Sequence, residues 1–258
     1  MTPEIQRRRK PTNQLPLHFV YGINPVKEAL LAGKVKRLYT SPARSERLEE
    51  LRTLAAKAAV PAGPLEEARW YGALARLPHQ GAAGLIRPFR GLTLGEAIEA
   101  LPPTAAAVLL DGVNDPQNLG AVIRTAAAAG AAVIMPKHGV PEVNATVHKV
   151  AAGTTFRARI VLGENLSQAV QHLKQHGFWV AALSAHEGES AFTFEYPERT
   201  AFIIGSEERG VKRKLVEHSD YLLNIPMAAG VESLNMGVSA AITLFLHRAH
   251  WARRNQEA

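Results

Sequence analysis

Three short stretches of this 258-residue chain hold amides, hydroxyls, a guanidinium and spaced glycines in patterns that could do chemistry. The first, Asp111-Gly112-Val113-Asn114-Asp115-Pro116-Gln117-Asn118-Leu119-Gly120, leads into an alanine-rich helix over 121–129 that carries Arg124. Asn118 sits where a helix N-cap would sit, and a cap needs nothing more. Arg124 asks for more, because it is the only charge on an apolar helix that should pack against a sheet. Such charges are seldom left unpaired, so a partner is expected beside it. The second stretch is Gly205-Ser206-Glu207-Glu208-Arg209-Gly210, directly after an apolar run. Two glycines five apart permit a tight turn with exposed backbone amides, which suits a polar ligand held by the main chain. An ordinary strand-to-helix turn explains the same residues. The third runs from Ile225-Pro226-Met227 to Ser233-Leu234-Asn235 and opens a long helix of small and apolar residues. Ser233 or Asn235 could cap that helix, while its small residues imply close approach of another backbone, within the chain or at a dimer seam.

The elements that must carry these loops are legible in the periodicity. Apolar runs at 107–110, 131–135, 158–162, 178–183, 201–204 and 221–225 alternate with segments of helical length and pattern. Repeated βαβ units and a parallel sheet follow. Ligands in such sheets bind beyond the carboxyl ends of the strands, which is where all three stretches lie. Ahead of this part, 17–90 reads as a small α/β domain, with strands near 18–21 and 35–39 and helices near 25–32 and 44–59. Residues 91–104, with Pro102-Pro103, read as a linker holding at most one short helix. Residues 1–16, with Arg7-Arg8-Arg9-Lys10 and three prolines, read as a disordered basic arm.

Charge separates the two parts. Up to Thr104 there are 16 Lys+Arg against 9 Asp+Glu, and from Ala105 onward 14 against 14. A polyanion held mainly by the N-terminal part, with a neutral machine behind it, is the reading this favours over a merely soluble basic surface. The chain contains no cysteine. That excludes disulfides, thiolate zinc sites and any thiolate-adduct mechanism, pyrimidine-C5 methylation of that kind included. No apolar run approaches the roughly 20 residues that span a bilayer, and the N-terminus lacks a signal-peptide core. No membrane association and a cytoplasmic location are therefore expected. His172 and His176, and His247 and His250, stand four and three residues apart on helices. Zinc takes three or four protein ligands, so solvated helix faces and no metal are expected there. The run Lys212-Arg213-Lys214 reads equally as an RNA contact or a solvated surface.

Taken together and in this order, the three loops are specific. Asn118-Leu119-Gly120 with Arg124, Gly205-Ser206-Glu207 with Gly210, and Ile225-Pro226-Met227 with Ser233-Leu234-Asn235 resemble the three motifs of the SpoU-type, or SPOUT, ribose methyltransferases. The resemblance covers 105 to about 251. The segment from Asn144-Ala145-Thr146-Val147-His148-Lys149 to Gly153 looks like the branch that modifies a guanosine of 23S ribosomal RNA. Val20-Tyr21-Gly22-Ile23-Asn24-Pro25 onward is similar to that branch's ribosomal-protein-like substrate-binding domain. Many members carry serine at Ala151 and alanine at Thr154, so contacts made there do not transfer.

This resemblance implies an α/β fold whose parallel sheet ends in a deep C-terminal trefoil knot, which periodicity cannot show. It implies a homodimer with each site completed at the interface, and S-adenosylmethionine held by main-chain groups near Gly205, Ile225 and Leu234. It implies that Arg124 serves the reaction, with Asn118, Glu207, Ser233 and Asn235 holding its geometry. Arg7, Arg8, Arg9, Lys10 and Asn144 are the expected RNA contacts. The rivals are transfer RNA or an rRNA adenosine as substrate, and a non-catalytic dimeric RNA-binding protein. A dinucleotide oxidoreductase is set aside because no Gly-x-Gly occurs in the chain.

Overall fold

A computed structural model of the chain describes residues 14–206 and 208–257. Glu207, Arg7, Arg8, Arg9 and Lys10 lie outside the described residues, as does most of the expected basic arm. The chain divides into two compact units, Met1–Phe89 and Arg90–Ala258.

The first unit runs β1 (Phe19–Tyr21), α1 (Ile23–Leu31), β2 (Val35–Thr40), α2 (Glu46–Lys57), β3 (Ala62–Pro64), α3 (Tyr71–Leu74) and β4 (Ala82–Ile86). Its sheet has the order β1-β4-β2-β3, with β4 antiparallel to both neighbours and β3 parallel to β2. Helix α1 buries Ile23, Val26, Ala29 and Leu30, the spacing of one helical face. Trp70 fills the centre, 5.4 Å from the Phe19 ring and 5.7 Å from that of Tyr39.

The second unit runs α4 (Leu94–Glu99), β5 (Ala105–Asp111), α5 (Pro116–Ala129), β6 (Ala132–Pro136), α6 (Ala145–Val150), β7 (Arg159–Glu164), α7 (Leu166–Gln175), β8 (Trp179–Ser184), β9 (Glu189–Ser190), β10 (Arg199–Gly205), α8 (Arg213–Glu217), β11 (Tyr221–Asn224) and α9 (Met236–Glu257). Its seven strands lie in the order β7-β6-β5-β10-β8-β11-β9, and all neighbours in that order run parallel. Helices cover both faces of such a sheet, so its strands bury both sets of side chains. All seven residues of β5 are buried accordingly. Helices α4 and α7 cover one face of the sheet, where Leu94, Ala97, Ile98, Val170 and Leu173 pack on Leu109, Ile134, Val161 and Ile203. Helices α5 and α9 pack together on the sheet's other side.

The segment 91–104 departs from the linker expected of it. Thr93 and Glu96 form a capping box that starts α4, and the apolar residues after it are buried in the core. Fully burying one such side chain is worth about 1.5–3 kcal/mol. A six-residue helix is too short for periodicity to reveal, which is why its core role is invisible in the sequence.

Candidate active site

The ends of four parallel strands define the site. Gly205 at the end of β10 stands in register with Asp111 at the end of β5, and Asn224 of β11 with Ser184 of β8. The loops that follow β8, β10 and β11 enclose a cavity of about 370 Å³. Leu183, Ile204, Ile225 and Leu234 give it apolar walls, Ser184 and Ser233 hydroxyls, and Glu208, Arg209 and Glu232 charge. Gly205, Ile225, Ser233 and Leu234 are thus brought together from sequence positions up to 29 apart, as the motif reading requires. The motifs do not reach the residues after β8. Those residues follow an apolar run like the others, and that position is the one signal for them.

Gly205 has no room for a side chain. A Cβ there would lie 1.9 Å from the carbonyl carbon of Gly210, because the loop doubles back on itself. The Gly210 N–H donates to the Ser206 carbonyl at 2.8 Å, and the Arg209 N–H to the Ser206 hydroxyl at 3.3 Å. Glycine is therefore required by close approach of backbone to backbone.

A buried carboxylate, which sequence reasoning misses, locks this loop. Asp111 is 3 % exposed. It accepts from the Lys212 backbone N–H at 2.8 Å and from the Lys212 ammonium at 2.6 Å. Two bonds spanning 101 residues hold the end of the second loop against the end of β5. Burying a carboxylate without such partners would cost far more than either bond returns. The signal is again positional: Asp111 is the first charge after an apolar strand.

The first and third loops meet differently from the expectation. Helix α5 starts at Pro116, not near Ala121, and its cap is Asp115, which accepts from the Gln117 N–H at 3.0 Å. Aspartate at the cap and proline in the first turn explain the earlier start. Asn118 therefore sits inside the first turn, and its side-chain oxygen accepts from the Asn235 amide at 2.7 Å. Asn235 in turn accepts from the Gly237 N–H at 2.9 Å, at the start of α9. A Cβ on Gly237 would lie 2.9 Å from the Ala121 methyl. The close approach expected of the third loop is thus made within the chain, with α5 and α9 side by side.

Arg124 is exposed. The buried face of α5 is Leu119, Gly120, Val122, Ile123 and Ala126, so the arginine points away from the sheet. It lies outside the lining of the cavity. The partner expected beside it is not needed, because no charge is buried there. Asn144 also stays outside the cavity. It caps α6, accepting from the Thr146 and Val147 N–H groups at 3.0 and 3.2 Å.

Behind α5, His148 of α6 is 1 % exposed. It bonds the Thr155 hydroxyl at 2.7 Å and stacks on Phe156 at 4.7 Å. Burial pushes its pKa down to about 4, so the ring is neutral at ordinary pH. His247 is not on a solvated face either. It is 3 % exposed, and its Nε2 reaches the carbonyls of Pro197 and Glu198. The sequence hides this, because the aromatic pocket of Tyr196 and Phe202 that receives the ring is remote along the chain. Among the described residues no group of three or more His, Asp or Glu could hold a metal ion, and no helix is long and apolar enough to cross a membrane.

Comparison with known proteins places this arrangement. The model of the SpoU rRNA Methylase family matches residues 105–245, and that of RNA 2'-O ribose methyltransferase substrate binding matches residues 19–92. A Pseudomonas putida protein named 23S rRNA (guanosine-2'-O-)-methyltransferase RlmB is 37 % identical over 237 residues, covering 89 % of this chain and 95 % of its own. Its counterpart in Pseudomonas aeruginosa is 36 % identical, covering 88 % and 94 %. The AdoMet-bound rRNA methyltransferase from Sinorhizobium meliloti superposes with a TM-score of 0.75 at 25 % identity, over 90 % of this chain and 87 % of that one.

Proposed function

The chain belongs to the SpoU rRNA Methylase family, and on that premise we propose that it methylates the ribose 2'-hydroxyl of a guanosine in 23S ribosomal RNA, using S-adenosylmethionine, in the cytoplasm. The observation that carries this is the cavity at the ends of β8, β10 and β11, bounded by Gly205, Ile225, Ser233 and Leu234. Its volume lies within the range of about 300–1,000 Å³ usual for small-molecule sites. Its donor set suits the cofactor: apolar walls for an adenine, hydroxyls for a ribose, and the Glu208 and Glu232 carboxylates for a cationic amino acid. Gly205, Ile225 and Leu234, with their neighbours, would hold it by main-chain groups.

When bound, S-adenosylmethionine supplies a methyl group on a sulfonium and leaves as a neutral thioether. What remains for the protein is to align the 2'-oxygen with that methyl and let one proton go to water. Orientation of this kind is worth about 7–11 kcal/mol, against roughly 10²- to 10⁴-fold for a positioned base. A guanidinium is a donor without an acceptor and a poor base, so the part of Arg124 is to fix an RNA phosphate and stabilise charge developing on the 2'-oxygen. Asn118 and Asn235 hold the starts of α5 and α9 together. Glu207 and Ser233 complete the set by resemblance.

Because Arg124 does not line its own cavity, we further propose a homodimer in which it serves the partner's site. The exposed apolar residues Val238 and Phe245, with half-buried Ile242 between them on α9, suit such a seam. The C-terminal loops would form the family's trefoil knot. The basic first unit would hold the RNA, and Asn144 would contact it.

The test is to incubate the purified chain with radiolabelled S-adenosylmethionine and either unmodified 23S rRNA or unmodified transfer RNA, then map any 2'-O-methyl. One labelled guanosine in rRNA is expected, with turnover falling at least about 100-fold in Arg124→Ala. Label in transfer RNA would overturn the substrate. Arg124 is expected to hold that phosphate in a bidentate fork, and near-full turnover in Arg124→Lys would overturn this, since lysine lacks the planar fork.

A further inference from the structure

A second crevice opens at the same edge of the large sheet, where β5, β6 and β7 end, with a volume of about 530 Å³. Its wall carries Lys137 and His138 just past β6, and Lys212 and Lys214 at the start of α8. The run Lys212-Arg213-Lys214, which sequence leaves undecided between RNA contact and solvated surface, is split by the fold. Lys212 and Lys214 face the crevice, whereas Arg213 does not line it and pairs with Glu217 at 2.8 Å. The carboxylates on the wall are Asp111, which Lys212 neutralises, and Glu164. Lys137, His138 and Lys214 are exposed to solvent. Lysines outnumber carboxylates three to two on this wall.

The position adds to the charge. The loop after β10 borders the first cavity with Gly205 and Gly210 and the second crevice with Lys212. A polyanion that delivers a ribose to the first cavity can run its flanking backbone along this edge. We propose that the second crevice is a backbone site for the substrate RNA, in which Lys137 and Lys214 each contact a phosphate and His138 donates to the same strand. The proposal rests on RNA being the substrate, as argued above. Contacts of this kind are blind to sequence and release counterions, so they show in the salt dependence of binding.

The experiment measures binding of the full chain to an unmodified 23S rRNA transcript and to a poly(U) strand, from about 50 to 200 mM salt. Wild type, the Lys137→Ala/Lys214→Ala double variant and Arg213→Ala are compared, with S-adenosylmethionine affinity measured in parallel as a check on folding. For the double variant the log–log slope on poly(U) should shrink by about 1.4, at roughly 0.7 per phosphate contact. Affinity for both RNAs should fall on the order of tenfold at the lowest salt, with cofactor affinity unchanged and Arg213→Ala like wild type. A double variant with the wild-type slope, or one matched by Arg213→Ala, would overturn the crevice while leaving the methyltransferase reading intact. Wild-type chain that bound cofactor but neither RNA would overturn both.

Discussion

The two crevices at the edge of the parallel sheet are built on different principles. The first is shaped by backbone: a loop doubled back at Gly205 and Gly210, facing the loop from Ile225 to Leu234 and the start of α9. The second is shaped by side-chain charge at Lys137, Lys212 and Lys214. A site made of backbone geometry suits one small ligand in one pose and tolerates no added atom. A site made of flexible ammonium groups suits a phosphate chain of any sequence and loses affinity in steps. The Asp111–Lys212 pair lines the second crevice and anchors the loop that borders the first.

That contrast can be broken by perturbing one crevice at a time. Gly205→Ala should have the largest effect, because its methyl would collide with backbone atoms that cannot rotate away. Overpacking commonly costs about 1–3 kcal/mol, and here more, so calorimetry should find S-adenosylmethionine affinity lowered over roughly a hundredfold. RNA affinity on poly(U) should stay within about twofold, since phosphate contacts carry it. An alanine variant that bound cofactor normally would show that the loop is not the wall of the site.

Acid comes next. Below about pH 6.5 an unfolded histidine takes up a proton that buried His148 refuses until about pH 4. The stability that this neutral ring supports is therefore complete above pH 6.5 and is lost as pH falls from there to about 4. The loss approaches about 3 kcal/mol at the bottom of that window, at about 1.36 kcal/mol for each pH unit crossed. Denaturant melts across this range should show it, and His148→Phe should flatten the dependence while keeping the stack on Phe156. Equal acid sensitivity in both proteins would assign it elsewhere.

Asp111→Ala leaves the Lys212 N–H without its acceptor and should cost about 2 kcal/mol. Because the pair lines the second crevice and anchors the end of the loop that borders the first, cofactor and RNA affinities should fall together, and a loss confined to one would correct that anchoring role. The smallest effect belongs to Asn118→Ala. The bond it removes is exposed and worth about 1 kcal/mol, so turnover should fall roughly fivefold and the melting temperature by only about 2–4 °C.

Part of this architecture is legible in the chain itself. Six apolar runs mark the long parallel strands because burial on both faces makes them continuous. The loops after them contain most residues of the first cavity. Other parts are hidden for identifiable reasons. Two-residue β9 and three-residue β3 are too short to show a period. Asn118 looks like a cap only until Asp115-Pro116 is weighed as the stronger start, and Arg124 looks inward because helix phase is uncertain in an alanine run. His247 looks solvated although an aromatic pocket far away in sequence receives it.

By itself, then, the sequence determined the longer strands and helices, the order of the loops and the family, because periodicity and motif order are local properties of a chain. Only the tertiary structure decided that the loops after β8, β10 and β11 share one cavity, that Asp111 takes Lys212 from 101 residues away, and that Lys137 and Lys214 face one crevice while Arg213 does not. Those are facts of strand order, and the order β5-β10-β8-β11 places side by side strands that the chain reaches only after long crossovers.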